Sequence, residues 1–377
     1  MSSTAKLVTL KLDGDLAHQG FRVTLEIGED GDRPDLELTG TLPAAPDLWR
    51  SLNHWRQHYH SLEVATRIKP KAIAYKGALQ LTEACRQAAG ELGNQLEQWI
   101  ASDAFRLLDQ RLREALNRED RIRIVLRSTD PLVHQLPWHL WDVMERYPYA
   151  EVTLGSPTLE RVERSPLPHT TVKILAILGD SEGIDLEVDR RLLNALPNAE
   201  VTVLVEPSRA VLNHQLWDQP WHILFFAGHS HTEAERGCIA INPQDSLTLA
   251  ELKYGLRQAI AQGLQLAIFN SCDGLGLARE LECVRLPQLI VMREPVPDRV
   301  AQAFLTQFLK AFSQGDALHL AVRQARERLQ GLEQEFPCAS WLPCLYQISA
   351  EPPLSWNALR RTPGHPQPKI LAIVPTP

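Results

Sequence analysis

From about Asp120 onward the chain carries short apolar runs that do not alternate: "RIRIVLRS", "VKILAILGD", "AEVTVLVEP", "HILFFAGHS", "GCIAIN", "LQLAIFNSC", "PQLIVMRE" and "LPCLYQIS". A strand with one wet face alternates polar and apolar residues, so continuous runs of this length belong to strands covered on both faces. Most are separated by amphipathic helical segments such as "DLEVDRRLLNAL", "TLAELKYGLRQAIAQG" and "RVAQAFLTQFLKAF". Strands and helices in alternation predict an α/β fold, a mostly parallel sheet with helices on both faces.

Before this region the pattern differs. "AKLVTLKLDGDL" and "FRVTLEIGED" alternate and end in Asp-Gly turns, and helical spacing follows over about 47–60 and 77–117. The expected layout is a small α+β N-terminal region over 1–118, an α/β domain over 119–350 and a proline-rich linker or tail over 351–377. A length of 377 residues suits such a division.

The formal charge is −7, which provides no global basic field, so nucleic acid is not an expected partner. The start "MSSTAKLVTL" has no basic segment followed by an apolar stretch, and no apolar run approaches membrane-spanning length. Six scattered cysteines without a C-x-x-C pair suggest neither a disulfide framework nor zinc. A cytoplasmic, reducing setting is expected, with no metal and no cofactor.

In open parallel sheets, sites form beyond the carboxyl ends of the strands. There "HILFFA" ends at Gly228-His229, and "LQLAIF" ends at Asn270-Ser271-Cys272-Asp273-Gly274. A cysteine reacts as thiolate, and a neighbouring imidazole takes its proton and later returns it to a departing amine. Cys272 also precedes the glycine-opened helix start "GLGLARELE", where backbone N–H groups and the helix dipole favour a thiolate and an oxyanion. A buried structural cysteine is the plainer reading, and His231 is an alternative base. His222, at the far end of the same strand, reads as structural. The segment Gly274-Leu275-Gly276 has Arg279 where a dinucleotide-binding loop needs glycine or alanine, so a nucleotide role is set aside.

His229 precedes Cys272 by 43 positions, close to the histidine-to-cysteine spacing of caspase-type peptidases. The segments "ILFFAGHS", "LQLAIFNSCDGLGLAREL", "LIVMREPVPDRVAQAF" and "FPCASWLP" resemble the CHAT-domain family of caspase-like, separase-related cysteine peptidases. The likeness spans roughly 120–350, and the first 118 residues resemble the segment preceding this domain in multidomain bacterial members. It implies a caspase/hemoglobinase-like fold and a cysteine endopeptidase acting through an acyl-enzyme, with His229 as base and Cys272 as nucleophile. The implied oxyanion donors are the backbone N–H groups of Ser230 and Cys272. The implied partners are a protein or peptide substrate and a regulatory partner or fused sensor module. A catalytically latent scaffold that binds partner proteins is the alternative, and thiol-dependent acyl transfer is a third.

For the substrate pocket, Asp273 and Asp298 are candidate carboxylates and Trp341 a candidate apolar wall. Asp298 in "PVPDR" reads equally as a helix N-cap, Asp273 as a cap of the helix it opens, and Trp341 as core. Asn270 stands where some relatives carry an acidic pocket residue, which argues against a plain arginine preference. The run "ARERLQGLEQE" is expected to be a solvated helix face.

Overall fold

The computed structural model describes residues 4–62, 75–160, 170–180, 185–233, 236–271, 274–349 and 353–360. Cys272, Asp273 and most of the expected tail lie outside the described residues, as does the side chain of His231.

The chain opens with strands β1 (Ala5–Asp15), β2 (Gly20–Glu29) and β3 (Leu36–Leu42), followed by helices α1 (Pro46–Ser61), α2 (Tyr75–Ile100) and α3 (Arg106–Ala115). Strand β4 (Arg121–Ser128) leads through two short helices, α4 (Pro131–Gln135) and α5 (Val143–Arg146), to β5 (Ala150–Glu160). Next come β6 (Val172–Leu178), α6 (Leu186–Asn194), β7 (Ala199–Val205), α7 (Arg209–Asp218) and β8 (Ile223–Ala227). Three short strands follow, β9 (Ser230–Glu233), β10 (Arg236–Ala240) and β11 (Ser246–Thr248), then α8 (Leu249–Ala261). The remainder is β12 (Leu266–Asn270), α9 (Gly274–Glu282), β13 (Gln288–Met292), α10 (Asp298–Ser313), α11 (Leu318–Arg328), β14 (Pro343–Ser349) and α12 (Trp356–Leu359).

Eleven strands form one sheet in the order β3-β2-β1-β4-β5-β14-β13-β12-β8-β6-β7. One block, β13-β12-β8-β6-β7, is parallel throughout. A second, β1-β4-β5-β14, is also parallel within itself and meets the first antiparallel at the β13/β14 pair. The N-terminal hairpin strands thus extend the same sheet. The expected α/β fold with a mostly parallel, doubly covered sheet is what forms. Every residue of β8, β12 and β13 is buried, which is why these runs do not alternate.

Local signals set the helix starts. Thr248 and Glu251 close a capping box at α8, each side chain accepting the other's backbone N–H. Asp185 caps α6 and Ser208 caps α7 in the same chemical way.

Three features depart from the sequence reading. The run "GCIAIN" supplies β10 to a separate three-stranded antiparallel sheet, β11-β10-β9, rather than to the main sheet. The "ARERLQGLEQE" run is only partly solvated. Arg326 is buried and pairs with the buried Glu151 at 2.8 Å, because α11 packs across β5 and β14 and its charges need an internal partner. Within the proline-rich C-terminal segment, Leu354, Trp356 and Leu359 are buried, and Trp356 packs edge-on against Phe312.

Candidate active site

Strand order in the parallel block places β6 between β7 and β8, so the connections leaving β6 and β8 diverge to opposite sides. Such a reversal opens a crevice beyond the carboxyl ends of the two strands. Three strands end level there: Leu178 pairs with Ala227, and Ala227 pairs with Asn270 on the other side.

His229 stands two residues beyond Ala227 and is half-buried. Its position depends on Gly228, whose φ is +156°. A Cβ on Gly228 would lie 3.2 Å from Gly179 Cα, since the β6 and β8 termini touch there. Gly179 N–H donates to Ala227 O at 2.8 Å and seals that contact.

The small sheet then holds the backbone after the histidine. Ala240 N–H donates to His229 O at 2.9 Å, and Ile239 pairs with Ser230. Hydrogen bonds in an antiparallel ladder alternate, so this register turns the N–H of Ser230 away from β10. Ser230 itself is 9% exposed. Asp180 N–H donates to Ala240 O at 3.0 Å, which links the end of β6 to the same small sheet. The β9–β11 sheet is therefore the brace that fixes His229 and Ser230.

On the neighbouring strand, Asn270 and Ser271 are fully buried. Helix α9 starts at Gly274 against the end of β13, where an added Cβ would lie 2.6 Å from Met292 O. Only glycine lets α9 begin so close to the sheet. Gly237 N–H donates to Glu280 Oε1 at 2.6 Å and ties α9 to β10. The expected nucleophile Cys272 and Asp273 follow Ser271 in the sequence and lie outside the described residues.

Asp298 is half-buried and is the first residue of α10. The N-cap position is held by Pro297 and no side chain caps this helix, which corrects the cap reading. Asp298 instead accepts from Gln302 Nε2 at 2.8 Å, one turn along, and stays in the first turn where the helix dipole favours an anion. Gln302 also donates to Asp185 O at 3.2 Å, which draws the start of α10 toward the β6 side of the crevice.

Trp341 is 8% exposed, with its ring 5.1 Å from that of Trp55 and 5.7 Å from that of His139. It lies beside the end of β13, since Arg293 Nε donates to Trp341 O at 3.1 Å. His222, at the other end of β8, is buried and accepts from Lys173 N–H at 3.0 Å, a structural bond.

Sequence reasoning missed the loop between β13 and α10. Arg293 is buried and donates to the carbonyls of His134, Leu136 and Trp341. Glu294 is 3% exposed and meets α1, whose partner residues lie more than two hundred positions upstream. The one local signal is an adjacent Arg-Glu pair at the end of an apolar strand, where solvated turn residues are usual.

Among the described residues, no cluster of histidines, cysteines and carboxylates is arranged to hold a metal ion. No helix among them is long and apolar enough to cross a membrane. A search of curated proteins returns no match. A family model of the CHAT domain matches residues 90–360, most of the chain and all of the strand ends described above. The protein belongs to the CHAT-domain family, a caspase-like, protease-related family.

Proposed function

We propose that the protein is a cysteine endopeptidase in which His229 and Cys272 form the catalytic dyad. One observation carries this reading. Ala227 pairs with Asn270, so His229 and Cys272 each follow the same rung of the sheet by two residues, on parallel strands about 4.8 Å apart. Membership of a protease-related family supports it.

In this reading His229 takes the proton of Cys272, and the thiolate attacks the carbonyl carbon of the scissile peptide bond. The oxyanion accepts from the backbone N–H groups of Ser230 and Cys272. The C–N bond breaks as the imidazolium protonates the leaving amine, which leaves a thioester on Cys272. Water then attacks the thioester while His229 takes its proton. The peptide acid departs, and the thiol regains its proton. Asp273, Asp298 and Trp341 line the side that receives the substrate residue before the scissile bond. The substrate is a protein or peptide, and a regulatory partner or fused module controls access to the site.

The test compares wild type with Cys272→Ala on peptide substrates carrying arginine, lysine, aspartate or an apolar residue before the cleavable bond. Cleavage by wild type and its loss in a folded Cys272→Ala chain are expected. Equal cleavage by both would overturn the dyad. Absence of cleavage by either would favour the partner-binding scaffold.

A further inference from the structure

The loop from Arg293 to Pro297 joins β13 to α10 at the edge where His229 stands, and it delivers Asp298. Its one acidic side chain, Glu294, points away from solvent and is 3% exposed. Both carboxylate oxygens meet α1. Arg56 Nε lies 2.6 Å from Oε1, and His60 Nε2 lies 2.8 Å from Oε2. The hydroxyl of Tyr59, on the same helical turn, donates to Pro295 O at 2.7 Å. Arg293 also ties the loop to His134 O and Leu136 O. Three residues of α1 thus hold two consecutive loop residues.

A carboxylate withdrawn from water stays ionised only while opposite charge and hydrogen bonds replace its hydration. Glu294 therefore cannot keep its buried position if α1 moves; the loop must shift to hydrate it. Arg56 also donates from Nη1 to Gln135 Oε1 on α4 at 3.3 Å, so substitution of Glu294 is the change that removes the loop contact alone. Trp55 separately packs α1 onto Trp341, so the helix stays seated when the polar contacts alone are removed.

We infer that α1 is a built-in clamp on the substrate-binding loop, with Glu294 as the positioning residue through which Arg56 and His60 set the place of Asp298. This rests on the peptidase reading for its catalytic consequence, and on the contacts alone for the clamp. It gives the N-terminal region a role: a partner that displaces α1 would switch substrate binding without touching His229.

The experiment uses the full chain with Arg56→Ala, Glu294→Gln and Arg56→Lys. Hydrogen exchange of the peptide spanning 289–304 reads the clamp directly. Labelling by a peptidyl acyloxymethyl ketone reads substrate placement, and alkylation of Cys272 by iodoacetamide reads the dyad without it. Glu294→Gln should speed exchange in 289–304 alone, and Arg56→Ala should speed it there as well. They should also slow peptide labelling by about ten- to a hundredfold while iodoacetamide alkylation stays within about twofold. Arg56→Lys should restore part of both. Unchanged exchange in folded Arg56→Ala overturns the clamp, as does an equal slowing of both reagents. If no peptide reagent labels wild type, the peptidase reading falls, and the exchange result still decides for or against the clamp.

Discussion

Strand β8 carries a histidine at each end, and the two ends are built differently. At the amino end, His222 is buried and tied to β6 through its ring and its own N–H, while its carbonyl takes the N–H groups of Gln265 and Leu266. At the carboxyl end, His229 follows Gly228 and is half-buried in the crevice where strand order reverses. The amino-end side of the sheet also holds His319, buried beside Gln288 and Gln347, with burial driving its pKa down to about 3. The same side chain is thus enclosed in the core at the amino end and only half-buried at the carboxyl end, where the proposed function uses it. Strand direction separates them: the carboxyl ends of a parallel block are where diverging loops leave room for a ligand.

The sharpest way to break this comparison is to truncate each histidine of β8. His229→Ala should lower peptide cleavage by about a hundred- to ten-thousandfold with little change in thermal midpoint. His222→Ala should cost about 1–3 kcal/mol of stability by stranding the N–H of Lys173, with kcat retained in the folded fraction. Denaturation curves beside steady-state kinetics separate the two, and matching losses in both variants would dissolve the distinction.

A smaller effect is expected at Gly274. An added methyl group there meets Val291 Cβ at 2.4 Å and the backbone of Met292 at 2.6 and 2.8 Å, and strand backbone cannot rotate aside. Gly274→Ala should cost about 1–3 kcal/mol and displace the start of α9 from β13. Urea unfolding measures the first and the rate of Cys272 alkylation the second. A variant with wild-type stability would mean that α9 does not rest on the sheet edge as described.

The smallest effect lies in the pH dependence of the buried side. His319 is neutral when folded because of burial first, then the charges of Arg123 and Arg121. Its folded pKa lies below its unfolded value, so between about pH 6.5 and pH 3 the unfolded chain binds the extra proton. Stability from this group is complete above that window and falls as pH drops through it. His319→Phe should therefore reduce the acid-induced loss between pH 7.5 and 5.5 by about 1 kcal/mol, read from unfolding curves at the two pH values.

Much of this architecture was legible because burial writes itself locally. The unbroken runs at β6, β8, β12 and β13 mark their elements without reference to the rest of the chain. The level ends of β8 and β12 follow from the parallel reading, which is why the residues just beyond them, His229 among them, can be singled out from sequence. Strands β9 and β11 were not legible: "SHTE" and "SLT" are too short for periodicity, and pairing with β10 decides their state. The buried pair Arg326–Glu151 and the contact of half-buried Arg56 with buried Glu294 were missed for a related reason. Their partners are about 175 and more than 200 residues apart, and each charged side chain alone reads as solvated. Asp298 shows how limited local reading is even at short range, since Pro297 took the cap position and left the carboxylate to Gln302.

The most direct test of the central claim is to find which cysteine reacts, and whether His229 drives it. Wild type and His229→Ala would be treated with iodoacetamide at neutral pH and mapped by mass spectrometry, with the exposed Cys283 as an internal reference. The account predicts that Cys272 is alkylated faster than Cys283 in wild type, and that this advantage disappears in His229→Ala while Cys283 is unaffected. Equal reactivity of Cys272 in the two proteins would contradict it.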